Sequence, residues 1–209
     1  VQTCALPISE LASRGAGEEV SFERSLDELR GIAERVGCGE RMRELTEQSM
    51  SEPIPFRTSF LSRVELLKDV PVSQVSDEIA RIPLNEGLVS FIQRNRHRCF
   101  IVTGNLDVWI SGLMERIGMA GALHCSKGIV KDDRLLGVAS VIDKNKLVEQ
   151  MAAPFVAVGD GSNDASMISA ADVGIGFGGV RAIAPSVLAV CSHAIYDKER
   201  LCQFLERLS

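Results

Sequence analysis

The sequence predicts an α/β fold in which helices cover a parallel sheet. Two observations support this. From Pro83 onward, short apolar segments typical of buried strands alternate with segments of helical periodicity, which is the pattern of a parallel sheet. Before Pro83, residues 25–82 contain four successive amphipathic helices with no strand between them. We therefore expect a small helical unit ahead of the sheet.

The bulk composition limits the classes of function. The chain has 209 residues, of which 45% are hydrophobic and 24% charged, enough for one core and a smaller subdomain. Its formal net charge of −5 argues against nucleic-acid binding, and no apolar run is long enough to span a membrane. The six cysteines are scattered without zinc-ligand spacing, so we expect a reducing, cytoplasmic location and no disulfide framework.

The helical unit has clear local signals. A capping box at Ser25 opens the first helix, and a second helix covers about residues 40–50 before two prolines interrupt it. Apolar residues at helical spacing predict a third helix from Phe56 to Leu67 and a fourth over about residues 73–82.

The sheet unit alternates between the two element types. Strands are expected at 99–102, 122–125, 128–130, 135–142, 155–158, 173–177 and 194–195. Helices are expected at about 87–94, 106–117, from 144 onward, after the loop at 160, at 184–190 and at 198–208. Asp132 and Asp133 lie between two strand segments and predict a hairpin.

The stretch that begins at Phe155 carries the clearest chemical signal. A buried strand ends in Gly-Asp-Gly-Ser-Asn-Asp, residues 159–164, and a helix that Asn163 can cap follows. Loops at the carboxyl ends of parallel strands hold ligands in open α/β sheets. Because Asp160 and Asp164 place two carboxylates in this loop, the sequence predicts a site for a hard cation such as Mg²⁺ beside a phosphate.

This loop resembles the fourth motif of the haloacid dehalogenase (HAD) superfamily, whose members mostly transfer phosphoryl groups through an aspartyl phosphate with Mg²⁺. The strand that ends at Thr103 and Gly104 resembles the second motif, in which a hydroxyl and free amides hold a phosphate oxygen. Lys146, at the start of a helix, is similar to the lysine of the third motif, and Lys144 is an alternative for the same position.

The resemblance implies a role for each matching residue. Asp160 and Asp164 are expected to bind Mg²⁺, and Asp160 is expected to act in catalysis together with Thr103 and Lys146. The residues expected to contact the phosphate or the rest of the substrate are Thr103, Gly104, Arg63 and Asn163.

The helical unit, placed before the second motif, resembles the cap of the phosphoserine phosphatase branch. Residues 56–64 are similar to a cap segment of that branch, and Arg63 falls on its substrate carboxylate-binding arginine. The expected division is a cap over 25–82 and a Rossmann-like core over 83–209. P-type ATPases carry a similar loop, but their membrane spans and Asp-Lys-Thr-Gly segment are missing from this sequence.

The sequence departs from the family at its first motif. Asp-x-Asp-x-Thr is expected just upstream of Asp27, yet residues 14–24 contain no aspartate. Val1 to Ile8 resembles the in-frame translation of a sequencing-library adaptor, so residues 1–24 are expected to be an artefactual or disordered head. The first-motif position at the centre of the sheet would then be empty unless Val1 to Ile8 fills it.

These expectations define one function and one alternative. The parent protein is expected to be an Mg²⁺-dependent phosphomonoester hydrolase of the phosphoserine phosphatase type, with phosphoserine as the leading substrate among small phosphorylated metabolites. The chain as written, as a fragment without its nucleophile, is expected to be inactive. The alternative is a non-catalytic HAD-fold module that binds a phosphorylated ligand or a protein partner. No nucleic-acid or membrane partner is expected.

Overall fold

A computed structural model describes residues 3–6, 33–34, 39–42, 44–45, 55–151, 154–179 and 182–208. Within these residues, seven strands form one sheet in the order β4-β3-β2-β1-β5-β6-β7. The strands are β1 (Thr3–Leu6), β2 (Cys99–Leu106), β3 (Leu123–Lys131), β4 (Arg134–Ser140), β5 (Phe155–Gly159), β6 (Val173–Phe177) and β7 (His193–Ile195). All neighbours are parallel except the β3–β4 hairpin, so the predicted α/β class with a parallel sheet is confirmed.

Helices connect the strands and precede them. They are α1 (Phe56–Leu67), α2 (Val72–Ala80), α3 (Glu86–Arg94), α4 (Asp107–Ile117), α5 (Lys144–Val148), α6 (Ala165–Ala170), α7 (Pro185–Leu188) and α8 (Lys198–Leu208). Residues 33–34, 39–42 and 44–45 are also helical, and the remainder of the two helices expected before residue 50 lies outside the described residues. None of the described helices has the length and apolar character needed to cross a bilayer.

β1 lies at the centre of the sheet. Leu6 pairs with Ile101 of β2, and Ala5 pairs with Ala157 of β5, both in parallel. The central position is therefore filled by a strand from segment 1–8. The division into head, cap and core stays a prediction.

The sheet separates two hydrophobic clusters. Val156 and Val158 of β5 belong to one cluster, and Phe155 and Ala157 belong to the other, as the alternation of side chains along a strand requires. Every residue of β5 is buried, which explains why this strand reads as a continuous apolar run. The larger cluster also contains Trp109 of α4, which is 1% exposed.

The predicted hairpin is confirmed, but its first strand is longer than expected. The pieces expected at 122–125 and 128–130 form the single strand β3, because Ser126 and Lys127 between them also pair with neighbouring strands. Asp132 and Asp133 have φ values of 50° and 61°, as a two-residue turn that matches the strand twist requires.

The hairpin turn also contacts helix α2. Asp133 accepts hydrogen bonds from Ser73 N at 2.8 Å and from Ser73 Oγ at 2.6 Å, and its carbonyl accepts one from Val72 N at 2.9 Å. Pro71, the residue before α2, provides no side-chain cap. The turn therefore satisfies amides at the start of α2 that would otherwise lack a partner in the helix.

Candidate active site

The carboxyl ends of β2 and β5 flank the end of β1 at one edge of the sheet. Thr103 lies near the end of β2, and Asp160 directly follows β5. Two inter-strand spacings separate these strands, which places their backbones roughly 10 Å apart. Thr103 is 8% exposed and Asp160 is 1% exposed. The two predicted residues therefore lie on either side of the β1 end, at the edge where parallel sheets bind ligands.

The loop after β5 holds its two buried carboxylates in a tight turn. Gly161 N donates to Asp164 Oδ2 at 3.0 Å, and Ala184 N donates to the carbonyl of Asp160 at 2.8 Å. A Cβ atom on Gly159 would lie 2.7 Å from Asp164 Cβ, so glycine is required for this close approach. The glycine spacing of the motif thus fixes the position of Asp164.

Lys144 is the lysine that reaches this loop. Its Nζ donates to Asp164 Oδ1, and the two side chains are only 7% and 2% exposed. Asp143 caps α5 by accepting from Asn145 N at 3.0 Å. Lys146 lies two residues further on, about 200° around the helix axis, and is exposed. The structure thus brings the alternative, Lys144, to the loop and leaves Lys146 exposed, and which of the two acts in catalysis stays a prediction.

The segment that contains Thr103 leaves the regular ladder of the sheet. The register of β2 against β3 shifts between Val102 and Leu106, so that Thr103, Gly104 and Asn105 form a bulge. Thr103 Oγ1 accepts a hydrogen bond from Asn105 N at 3.2 Å. The bulge thus turns these three residues out of the ladder beside the end of β1.

Two further residues contact this bulge: Phe56, which the sequence placed in the cap-like segment, and Ser126, which it did not single out. A Cβ on Gly104 would lie 2.2 Å from the ring of Phe56, so this ring, at the start of α1, lies directly against Gly104. Ser126, which is fully buried in β3, donates from Oγ to the Gly104 carbonyl at 2.7 Å and accepts from Ile142 N at 3.2 Å. The apolar spacing predicted the helix of Phe56 but not its contact with Gly104, and a lone serine carries no spacing signal by which its contacts could be found.

Arg63 lies on the same face of α1 as Phe56 and Phe60. Its Nε is buried and has no hydrogen-bond partner among the residues described, and burial lowers the pKa of its guanidinium. Asn163, in contrast, is not the helix cap that we expected. It lies within a 3₁₀ turn, Ser162–Asp164, and α6 begins only afterwards. Its role in phosphate binding stays a prediction.

The oxygen donors of the loop fit Mg²⁺. Across the described part of the chain, no three His, Cys, Asp or Glu side chains form a complete ligand group. A complete group is not required, because Mg²⁺ commonly binds one or two carboxylates together with waters and substrate phosphate. Both oxygens of Asp164 already accept hydrogen bonds, from Lys144 and Gly161, so this carboxylate suits a supporting position. Asp160 is the candidate for direct coordination.

Comparisons with known proteins agree with this fold. Residues 23–169 match the profile of haloacid dehalogenase-like hydrolases. A phosphoserine phosphatase of Methanocaldococcus jannaschii is 32% identical over 161 residues, which cover 70% of this chain and 76% of that protein. A phosphoserine phosphatase of Archaeoglobus fulgidus is 32% identical over 167 residues, but the match spans only 47% of its length.

Structural similarity covers nearly the whole chain. The solved structure of a phospho-aspartyl intermediate analogue of phosphoserine phosphatase superposes with a TM-score of 0.73 at 24% identity, over 97% of this chain and 98% of that one. This likeness supports the fold. Together with the profile match, these relatives show that the chain belongs to the haloacid dehalogenase-like hydrolase family, and the relatives named here are hydrolases that act on phosphomonoesters.

Proposed function

We propose that the site binds Mg²⁺ and the phosphate of a small phosphorylated metabolite, as in a phosphomonoester hydrolase of the phosphoserine phosphatase type. The observation that carries the proposal is the buried assembly of Asp160, Asp164 and Lys144 at the end of β5, across the end of β1 from Thr103. Burying two carboxylates and a lysine is costly unless each is compensated, and such groups gather where a protein binds charge.

Each residue has a defined part in this proposal. Asp160 holds the metal, which when bound neutralises phosphate charge. Thr103 and the backbone at Gly104 contact phosphate oxygens. Lys144 takes the role first given to Lys146: it holds Asp164 in place by donating to its carboxylate, and presents a cation to the phosphoryl group.

The substrate is proposed to be phosphoserine. Arg63 supports this, because a half-buried guanidinium whose Nε lacks a partner among the described residues suits a planar carboxylate such as that of an amino acid. Phe56 lies against Gly104 and belongs to the same helix, so α1 covers the phosphate loop and carries Arg63 close by. The names of the two archaeal relatives agree with this choice. The cytoplasmic location stays a prediction.

We propose that the nucleophile is missing from this chain. Residues 14–24, where the resemblance places it, contain no aspartate, so the chain is proposed to bind phosphate without hydrolysing its ester. This observation also favours the alternative, a non-catalytic module that binds a phosphorylated ligand or a protein partner. The two functions differ in whether restoring the nucleophile restores turnover.

The register of β1 defines the variant that tests the proposal. Leu6 is level with Ile101, and Thr103 follows Ile101 by two residues. Counting two residues on from Leu6 gives position 8. A repaired chain therefore carries Ile8→Asp, Glu10→Asp and Ala12→Thr, and a matched control carries Ile8→Asn with the same two other changes.

The assay is phosphate release from phosphoserine with Mg²⁺, combined with calorimetry of Mg²⁺ binding. We expect turnover by the repaired chain, none by the Ile8→Asn control or the unaltered chain, and loss of Mg²⁺ binding in Asp160→Asn. Turnover by the unaltered chain would refute the missing nucleophile. If Mg²⁺ and phosphate bind but the repaired chain stays inactive, the non-catalytic alternative is supported. Absence of Mg²⁺ binding would refute both functions.

A further inference from the structure

Ser126 connects the two segments that carry the phosphate-binding groups. Its Oγ donates to the Gly104 carbonyl at 2.7 Å, within the β2 bulge, and accepts from Ile142 N at 3.2 Å, two residues before Lys144. The residue has no exposed surface. One hydroxyl is therefore shared by the loop that contains Thr103 and by the chain that leads into α5.

The bulge explains why a side chain is needed here. Because the β2–β3 register shifts between Val102 and Leu106, the Gly104 carbonyl falls where regular pairing with β3 is interrupted. Gly104 is half-buried, a carbonyl withdrawn from water without a partner is costly, and the hydroxyl of Ser126 supplies that partner. Ile142 lies two residues beyond Ser140, the last residue of β4, and is therefore also outside regular strand pairing. The amide of Ile142 donates to the same Ser126 hydroxyl.

We propose that Ser126 is a positioning residue that sets the distance between the Thr103–Gly104 loop and Lys144. This inference rests on the proposed function, because it concerns the same phosphate site. In this proposal Ser126 acts through the backbone and not by contact with the phosphate. It fixes the backbone on both sides of the site, so that Thr103 and Lys144 can contact the same phosphoryl group. A misplacement of about 1 Å at such groups is enough to weaken an oriented site strongly.

The test measures the binding of inorganic phosphate, in the presence of Mg²⁺, to the full chain by calorimetry. Ser126→Ala is expected to weaken phosphate binding about tenfold, and Ser126→Thr, which keeps the hydroxyl, is expected to restore most of the affinity. Ser192→Ala is the matched control. Ser192 Oγ likewise bridges backbone groups, both of Gly174, at 2.9 and 3.1 Å, but near the opposite end of the parallel strands.

Thermal unfolding of the same variants separates positioning from stability. We expect both alanine variants to lower Tm, and only Ser126→Ala to lower phosphate affinity. Equal affinity in wild type and Ser126→Ala would overturn the inference, as would equal weakening by Ser192→Ala.

If the wild-type chain binds no phosphate, that result refutes the proposed function by itself. Amide hydrogen exchange, measured without any ligand, then tests the positioning role of Ser126 separately. In Ser126→Ala we expect faster exchange at Asn105 and Leu147, whose amides bond within the two segments and not to Ser126. Faster exchange at both amides would support the connection. A change confined to Ile142, or no change, would overturn it.

Discussion

At the scale of single residues, the buried pair of Lys144 and Asp164 determines the electrostatics of the site. Both side chains are almost fully buried, and Asp164 also accepts the amide of Gly161. Removing one member of such a pair leaves the other as an uncompensated charge, which is far more costly than the loss of an exposed ion pair. The buried ion pair of Lys144 with Asp164 is therefore expected to affect the stability of the fold as well as the site.

Lys144→Met is expected to lower the free energy of unfolding by about 3–5 kcal/mol, because the carboxylate of Asp164 stays buried without its cation. Lys146→Met, on the exposed side of the same helix, is expected to change it by less than about 0.5 kcal/mol. Urea unfolding at pH 7 measures both values. Adding Asp164→Asn to Lys144→Met should recover part of the loss. Similar effects of the two lysine variants would contradict the assignment of the buried lysine.

The sequence predicted some site residues and left others undecided for physical reasons. Asp160, Asp164 and Thr103 follow apolar strands, so their place at one edge of the sheet could be predicted from the periodicity. The choice between Lys144 and Lys146 could not, because both lie in the first turn of a short helix whose orientation depends on tertiary packing. Ser126 makes contacts that depend on a bulge in another strand, which no local pattern encodes.

At the scale of elements, the β3–β4 hairpin acts as a cap for α2. Asp133 bonds both the amide and the hydroxyl of Ser73, and these bonds lower the pKa of the Asp133 carboxyl. A carboxyl whose pKa is lower in the folded state stabilises the protein above its unfolded pKa, which is about 3.9. That contribution is lost as the pH falls through the folded pKa.

Asp133→Ala is therefore expected to lower Tm at pH 7, and the difference from wild type should begin to shrink below the unfolded pKa of about 3.9 and be lost as the pH falls through the lower folded pKa. Thermal unfolding at pH 7, 5 and 3 measures this dependence. Asp132→Ala is the control for placing alanine at positive φ, since Asp132 has a φ of 50°. A difference for Asp133→Ala that stays constant down to pH 3 would show that its cap does not depend on charge.

The elements themselves were largely predictable, and their tertiary contacts were not. Helices α1 and α8 and strand β6 match the predicted bounds, because their apolar spacing is regular. β3 was predicted as two pieces, because Ser126 and Lys127 interrupt its apolar pattern while still pairing with neighbouring strands. The capping of α2 by Asp133 joins residues 60 positions apart in the chain, beyond the reach of any local signal.

At the scale of the whole molecule, the sheet depends on its central strand. β1 pairs with β2 on one side and β5 on the other, so its removal would expose two edges in the interior of the sheet. Each buried backbone group left without a partner costs about 1–3 kcal/mol, and a few such groups equal the typical stability of a domain, about 5–15 kcal/mol. β1 is thus as important to the fold as β2 and β5, the strands that carry the candidate site residues.

Amide exchange is expected to be slow at Ala5 and Leu6, comparable with Ala157 in β5, and faster in the edge strand β7. Removal of residues 1–8 is expected to abolish cooperative unfolding, measured by circular dichroism during a urea titration. Fast exchange at Ala5 and Leu6, or an unchanged transition after the removal, would contradict a central role for β1.

The central place of β1 has a consequence for synthesis on the ribosome. Cys99, the partner of Cys4, and Phe155, the partner of Thr3, are translated roughly 95 and 150 residues after β1, which at about 5–20 residues per second is a delay of about 5–30 s. During that interval the nascent strand has neither neighbour, and its unpaired backbone is open to pairing with other chains. The yield of folded protein in a cell should therefore respond to chaperone capacity and translation speed more than the stability of the finished fold suggests.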